Sequence, residues 1–597
     1  MEQVIKRIAN LREAMRKAGV SACIIPGTDP HASEYIAECW KDRVWISGFD
    51  GSAGTVVVGL EKAGLWTDSR YFLQGAAQLE GTGMDLMKLG QPETPDIVGW
   101  LIATLKPGDN VGVNAQMYSV NAYAALKADL QKAGIDLVSI DVVSEVWTDR
   151  PSMPLTPCFL FDVKYAGQSA ADKLTSVRAE MKKQGAASMV LSMLDEIAWL
   201  FNIRGNDVNY NPVVISYAVV ELTKATLFIA PEKISKATTD SLLKEGVAVA
   251  PYSSVSDSIA ALPASDKIMF DGSKLNQALY EAFPVGCGTC NTLSPVAKLK
   301  SIKNQVEIEG YRRAMVKDGV ALTRFFKWLE ENVYTRELTE LTVDERLTEF
   351  RAEQESFMGP SFNSIASYAA HGAIVHYSAT EESAATLLPE GLFLLDSGGQ
   401  YLDGTTDTTR TVSLGKVTEQ QRIDFSLVLK GNIALSKAVF PVNTRGSQLD
   451  ILARKAMWES GINYGHGTGH GVGHFLNVHE GPQSIRAEEN PVVIEAGMCM
   501  SNEPAMYRTG EYGIRTENML VVVPAFETEY GKFLKFETIT LCYIDRELFD
   551  VDVLDSSDLQ WVDDYHHWVF NSLSPYLNKE EKVWLADKCR PSDDLLF

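Results

Sequence analysis

At 597 residues the chain is too long for one hydrophobic core, so several domains are expected. Its 45% hydrophobic and 22% charged residues are those of a globular protein with ample core material. The formal net charge of −23 argues against nucleic acid as a partner, since phosphate binding needs basic patches, and otherwise only favours solubility.

The chain opens on a charged amphipathic segment, with neither the apolar core nor the small-residue cleavage site of a signal peptide. No run of about 18 apolar residues predicts a membrane span, so no membrane partner is expected. Eight cysteines are too sparse for a disulfide framework, and Cys287-Gly-Thr-Cys290 has no second pair or nearby histidine to complete a zinc site. Reduced thiols and a cytoplasmic location are the expectation.

The first half carries a faint repeat. Leu11 to Gly19 reads as a charged helix with a glycine stop before the apolar run Ala22 to Ile25. Val177 to Gly185 and Met189 to Leu191 read the same way. Two similar α/β lobes would account for this. The segment Asp149 to Pro157, with prolines at 151, 154 and 157, reads as their linker.

A third domain begins near Lys300. Apolar residues at helical spacing fill Asn304 to Glu331. Thr342-Val-Asp-Glu345 and Thr418-Glu-Gln-Gln421 read as capping boxes, the second opening a helix that stops before Pro441. Strand-like runs cover Leu392 to Leu395, Thr409 to Leu414 and Met519 to Val523. The expected domain is α+β, with helices covering a curved, mostly antiparallel sheet. The aromatic, acidic residues after Arg546 read as helices with an exposed apolar face, an appendage suited to an oligomer interface. Expected boundaries are 1–152, 153–300, 301–545 and 546–597.

The chemistry concentrates in the third domain. Four of nine histidines lie between His466 and His479, in His466-Gly-Thr-Gly-His470-Gly-Val-Gly-His474-Phe-Leu-Asn-Val-His479. The glycines would let backbone pass close to whatever the imidazoles hold. Acid motifs flank the cluster: Asp396 and Asp407 upstream, Glu503 and Glu517 downstream. Hairpin arms would bring Asp396 and Asp407 side by side, where they repel unless cations sit between them. Each residue alone has an ordinary structural explanation. Together, four carboxylates and one imidazole suit two hard divalent cations such as Mn²⁺, and also admit Co²⁺, Fe²⁺ or Zn²⁺.

Leu395-Asp396-Ser397-Gly398, Asp407, Gly467-Thr468-Gly469-His470-Gly471-Val472-Gly473, Asn502-Glu503-Pro504 and Arg515-Thr516-Glu517-Asn518 resemble, in order and spacing, the motifs of the pita-bread metallopeptidases. The match is closest to the Xaa-Pro aminopeptidases, or aminopeptidase P. Ser47 to Thr55, Trp66 to Gln74 and the C-terminal extension are similar to the long, three-domain cytosolic form. The resemblance implies two creatinase-like α/β lobes, a pita-bread catalytic domain and a homodimer. It implies that Asp396, Asp407, His470, Glu503 and Glu517 bind two metal ions, usually Mn²⁺, with Asp407 and Glu517 bridging. It further implies hydrolysis of the bond between the first residue and a proline at the second position, through a hydroxide held between the metals. Glu503 would take the water's proton, His376 would meet the scissile carbonyl, and His479 would stabilise the tetrahedral intermediate or the leaving proline nitrogen. His466 would line the proline pocket, Arg515 would orient the cage acids, and Tyr507 and Arg70 would lie near substrate. His371 and His474 read as polar residues without a catalytic role, and His566 and His567 as surface.

Prolidase shares the five ligands but cleaves dipeptides and typically lacks two large N-terminal lobes. Methionine aminopeptidase is the catalytic domain alone, and creatinase lacks the metal set. A non-enzymatic pita-bread binding module would have lost the ligands, and all five stand in this chain.

Overall fold

The computed structural model describes residues 1–592; the last five residues of the expected C-terminal extension lie outside the described set. The described chain forms two compact units, residues 1–161 with 168–296, and residues 162–167 with 297 onward.

The first unit holds two lobes with one topology. In the first lobe α1 (Glu2–Ala18) is stopped by Gly19 in the left-handed conformation and leads into β1 (Ala22–Pro26). The sheet continues with β2 (Thr55–Gly59), β3 (Ala63–Thr67), β4 (Asp85–Lys88), β5 (Asn110–Val113) and β6 (Asp136–Ser139), in the order β4-β3-β2-β1-β5-β6. The second lobe starts with α2 (Ala170–Lys183) and contains β7 (Ser188–Leu191), β8 (Ser216–Glu221), β9 (Ala225–Ile229), β10 (Val247–Pro251), β11 (Lys267–Phe270) and β12 (Gly288–Asn291). Its order is β10-β9-β8-β7-β11-β12, so each strand finds its counterpart. In both sheets the second strand pairs antiparallel to the first and third, and the outer pairs are parallel. The repeat read in the sequence is therefore a structural duplication. The lobes meet at His31, fully buried, whose Nδ1 lies 2.8 Å from the Ser192 carbonyl oxygen and whose Nε2 lies 3.0 Å from the Tyr252 hydroxyl.

The second unit is built on α3 (Gln305–Asn332), opened by an Asn304/Glu307 capping box. Next comes α4 (Glu340–Ala352), whose capping box is Thr339/Thr342. The sequence placed that box three residues too late, because Thr342 satisfies the spacing from either side and here serves as the third helical residue, bonded to the Thr339 cap. β13 (Ile365–Tyr368), β14 (Leu392–Ser397) and β15 (Thr408–Ser413) make one antiparallel sheet. After α5 (Glu419–Ser436), capped by Thr418 and Gln421, come β16 (Val439–Pro441) and α6 (Gly446–Glu459). The larger sheet adds β17 (Gly469–Gly471), β18 (Glu480–Ile485) and β19 (Cys499–Asn502). β20 (Ala505–Arg508) and β21 (Tyr512–Arg515) pair with each other, and β22 (Asn518–Thr528) and β23 (Gly531–Thr538) follow. The large sheet runs β16-β23-β22-β19-β17-β18, with every neighbouring pair antiparallel.

The C-terminal helices α7 (Ser556–Leu573) and α8 (Lys579–Lys588) correct an expectation. Their apolar residues Leu559, Val562, Tyr565, Val569, Leu573 and Leu585 belong to the main core of the unit, with Phe325, Phe326 and Tyr543. The face the sequence read as exposed is covered by α3. The tie is Arg410 of β15, buried and donating to the carbonyls of Tyr543 and Cys542 and to the Tyr565 hydroxyl. No helix among the described residues is long and apolar enough to cross a membrane.

His566, read as surface, is 1% exposed, whereas His567 is exposed. His566 Nε2 accepts the Ile544 N–H at 3.0 Å, so that nitrogen must stay unprotonated. Burial, with Arg410 and Arg546 nearby, pushes its pKa down to about 3. An unfolded chain takes up this proton near pH 6.5 and the folded chain does not, so stability is retained above that value and lost as pH falls through it. Between pH 7 and pH 5 this residue alone should cost about 2 kcal/mol. In urea unfolding at the two pH values, the change in stability should be less unfavourable by about 2 kcal/mol in His566→Gln than in the wild type; an equal change in the two would exclude His566 as a source.

Candidate active site

Two sheets of the second unit bring five residues together. Asp396 sits on β14 opposite Thr409 of β15, and Asp407 immediately precedes β15. The residues between them fold back as a small hairpin, Gln400 facing Thr405, so the two aspartates approach from adjacent strands as the sequence anticipated. His470 is the centre of β17. Glu503 follows β19 and is tied to the His470 segment through its N–H to the Thr468 carbonyl, at 2.8 Å. Glu517 precedes β22, with its N–H on the Thr409 carbonyl at 3.1 Å. The glycines flanking His470 serve the sheet rather than a ligand: a Cβ at Gly469 would strike the Ser501 carbonyl, and one at Gly471 the Glu480 carbonyl and the Gln483 amide.

Ligand atoms of Asp407, His470 and Glu517 lie within 4.8 Å of one another. His470 Nε2 is 3.4 Å from Asp407 Oδ2 and 3.5 Å from Glu503 Oε1. The other ring nitrogen, Nδ1, lies 2.9 Å from the Gly471 carbonyl oxygen. A carbonyl can only accept, so Nδ1 carries the hydrogen and the Nε2 lone pair points into the acids. Asp396 and Glu517 share a pattern. Asp396 Oδ2 accepts from Arg515 Nη2 at 2.7 Å, and Glu517 Oε2 accepts from the Thr409 hydroxyl at 2.8 Å. Asp396 Oδ1 and Glu517 Oε1 are buried without a hydrogen-bond partner among the described residues.

Four carboxylates so close and so buried cannot all hold charge by themselves. Burial drives the Glu503 carboxyl up to about 7, with Asp407 and Asp396 adding to the rise against His470 and Arg515. Burial likewise raises Asp396 and lifts Glu517 well above the usual carboxylate range. Oxygen donors held on one side and bare on the other, with one imidazole lone pair, fit hard divalent cations.

The other histidines divide. The His479 ring stands perpendicular to the His470 ring, centroids 4.4 Å apart, so it borders the cage. Its neighbour Glu480 is buried between Lys300 and Lys303, a pairing that no spacing in the sequence announced. His466 Nε2 lies 2.8 Å from the Tyr507 hydroxyl, which accepts from Arg515 Nη1 at 2.6 Å. His466, Tyr507, Arg515 and Asp396 thus form one chain. His474 is buried with its ring edge-on to Tyr311. His371 contacts the buried Glu340 carboxylate, 2.9 Å away. His376 is half-buried on the segment after β13, beside Tyr377, which packs on Ile365 and Leu394 of the Asp396 sheet. Arg70 belongs to the first unit, where it makes a bidentate pair with Asp68. Sequence reasoning missed Thr409, which was legible only as a strand residue.

Comparison with known proteins adds the following. Residues 7–146 and 149–307 each match the creatinase/prolidase N-terminal domain, 309–524 match metallopeptidase family M24, and 532–592 match the C-terminal region of peptidase M24. A probable Xaa-Pro aminopeptidase P of Laccaria bicolor is 40% identical over 98% of this chain and 93% of its own length. Aminopeptidase P2 of Arabidopsis thaliana is 40% identical over 98% of this chain and 88% of its own. The crystal structure of X-prolyl aminopeptidase from Caenorhabditis elegans, described as a cytosolic enzyme with a di-nuclear active site, superposes with a TM-score of 0.94 at 33% identity, covering 99% of this chain and all of the other. With such identity sustained along nearly the whole of these relatives, the chain belongs to the Xaa-Pro aminopeptidases of metallopeptidase family M24.

Proposed function

We propose that this protein is an aminopeptidase that removes the first residue of peptides carrying proline at the second position, with two divalent cations, Mn²⁺ foremost, held by Asp396, Asp407, His470, Glu503 and Glu517. The observation that carries this reading is the grouping of Asp407, His470 and Glu517 ligand atoms within 4.8 Å, with the buried, unpartnered oxygens Asp396 Oδ1 and Glu517 Oε1 in the same acid cluster. The names and the full-length similarity of the relatives support the substrate. Proline in the second position makes the scissile bond a tertiary amide without an N–H, so the site must grip ring and carbonyl instead.

Two cations would lower the pKa of the attacking water and clamp the developing oxyanion. The chain's own residues do the rest. Glu503, beside His470 at the edge of the cage, receives the water's proton. His376 hydrogen-bonds the scissile carbonyl oxygen, and His479, held against His470, steadies the tetrahedral intermediate or the leaving proline nitrogen. His466 and Tyr507 bound the proline side, and Arg515 fixes both Tyr507 and Asp396. Arg70 is assigned to substrate from its family position alone. The acid cage also attracts a free α-amino group, which suits an exopeptidase. We place the protein in the cytoplasm, in keeping with the cytosolic nematode relative, and take it to act as a homodimer.

Mn²⁺-loaded protein should release arginine from Arg-Pro-Pro. Cleavage confined to Gly-Pro would make it a prolidase, cleavage of Met-Ala-Ser alone a methionine aminopeptidase, and no cleavage at all a binding module. His470→Ala should lose bound metal, measured by atomic emission. His479→Ala should retain metal while kcat falls by about 10²-fold or more, on the scale of a lost transition-state donor. Full activity in both variants would overturn the assignment.

A further inference from the structure

Glu340 is the first residue of α4 and fully buried. Four donors surround its carboxylate. Oε1 accepts the Tyr368 N–H at 2.7 Å, and Oε2 accepts the Ala385 N–H at 2.7 Å and the Tyr377 hydroxyl at 2.8 Å. His371 Nδ1 lies 2.9 and 3.0 Å from the two oxygens. All four donors come from one stretch of chain. Tyr368 ends β13, Ala385 closes the excursion before the chain returns to β14, and His371 and Tyr377 lie inside it. The Ala385 carbonyl accepts the Glu340 N–H in return.

A carboxylate has about four good acceptor directions, and here each is used by the same excursion. Oxygens satisfied in this way cost little to bury, and removing them would leave several donors unpaired at once. The His371 and Tyr377 rings stack, centroids 4.3 Å apart and 25° between planes, so the two side-chain donors brace each other. A second anchor fixes the far side: Gly372 packs on the backbone of Gly513 in β21, the strand that ends in Arg515. His376 lies on the chain between these anchors and next to the clamped Tyr377.

We propose that Glu340 is a positioning residue for His376: it fastens both ends and the middle of the segment that carries this histidine, and with His371 and Tyr377 sets where the imidazole stands relative to the cage. The inference rests on the assignment of His376 to the scissile carbonyl. It gives His371 a role in the clamp and none in the chemistry. Nothing in the sequence marked Glu340, an acid in an ordinary helix start.

A kinetic double-mutant cycle tests this on the Mn²⁺-loaded full-length enzyme with Arg-Pro-Pro. Glu340→Gln keeps the size but turns an acceptor into a donor facing donors. It should lower kcat by about tenfold, with KM within about twofold and metal content unchanged, as expected when a reacting group is displaced without loss of binding. In a His376→Ala background the same change should have no further effect, because the group it positions is gone. Tyr377→Phe removes one donor only and should give a smaller kcat loss, also silenced by His376→Ala; it carries the test should Glu340→Gln fold poorly. Equal kcat losses with and without His376 overturn the positioning role, as does wild-type kcat in both clamp variants. Full kcat in His376→Ala removes the premise and the proposal with it. A wild-type enzyme that cannot cleave Arg-Pro-Pro fails the functional reading instead, and that result is seen before any variant is made.

Discussion

The second unit is organised around the cost of keeping four carboxylates close together and out of water. Each repels the others, and burial penalises every charge, which is why Asp396, Glu503 and Glu517 all hold their protons more tightly than free side chains do. The protein supplies partial relief. Arg515 neutralises one side of Asp396, Thr409 satisfies one oxygen of Glu517, and the Gly471 carbonyl fixes His470 so that its lone pair faces inward. Asp396 Oδ1 and Glu517 Oε1 are left without a hydrogen-bond partner among the described residues, and divalent cations are the groups that complete such a set. Acids held this close together need a rigid frame.

That frame consists of adjacent strands and the hubs that brace them. Asp396 is fixed by a register in which it faces Thr409, and Thr409 in turn receives the Glu517 backbone. His470 sits between β18 and β19 only because the glycines beside it let strand backbones come together. Beneath His479, Glu480 holds two buried lysines, and beneath the His376 segment Glu340 holds four donors. His376 and His479 are thereby tied to buried polar hubs rather than left to pack by shape alone. Such networks specify one arrangement, because any alternative strands a polar group away from water.

The C-terminal helices belong to the same frame. Arg410, one residue from Thr409, donates to the Cys542 and Tyr543 carbonyls and to Tyr565 of α7. It therefore joins the strand that carries the acid cage to the segment that seals the core from the far side. The sequence showed only an apolar stripe in a late acidic stretch, and a stripe does not say what covers it. The same limit applies to His566: a pair of adjacent histidines in a helix gives no sign that one is buried under Arg410 and the other is exposed.

The sequence by itself determined the class of protein and nominated the residues of the cage. Motif order and spacing singled out Asp396, Asp407, His470, Glu503 and Glu517, because metal-ligand chemistry restricts which side chains can serve and strand ends restrict where they can stand. It also disclosed the duplicated lobes, since a helix, a glycine stop and a buried strand leave the same periodic trace twice. The tertiary structure alone decided which oxygen of Asp396 and of Glu517 is held and which is bare, which histidines touch the cage and which brace it, and that Glu340, Glu480 and Thr409 matter at all. Those facts depend on residues tens to more than a hundred positions apart meeting across a sheet, and local pattern carries no information about such meetings.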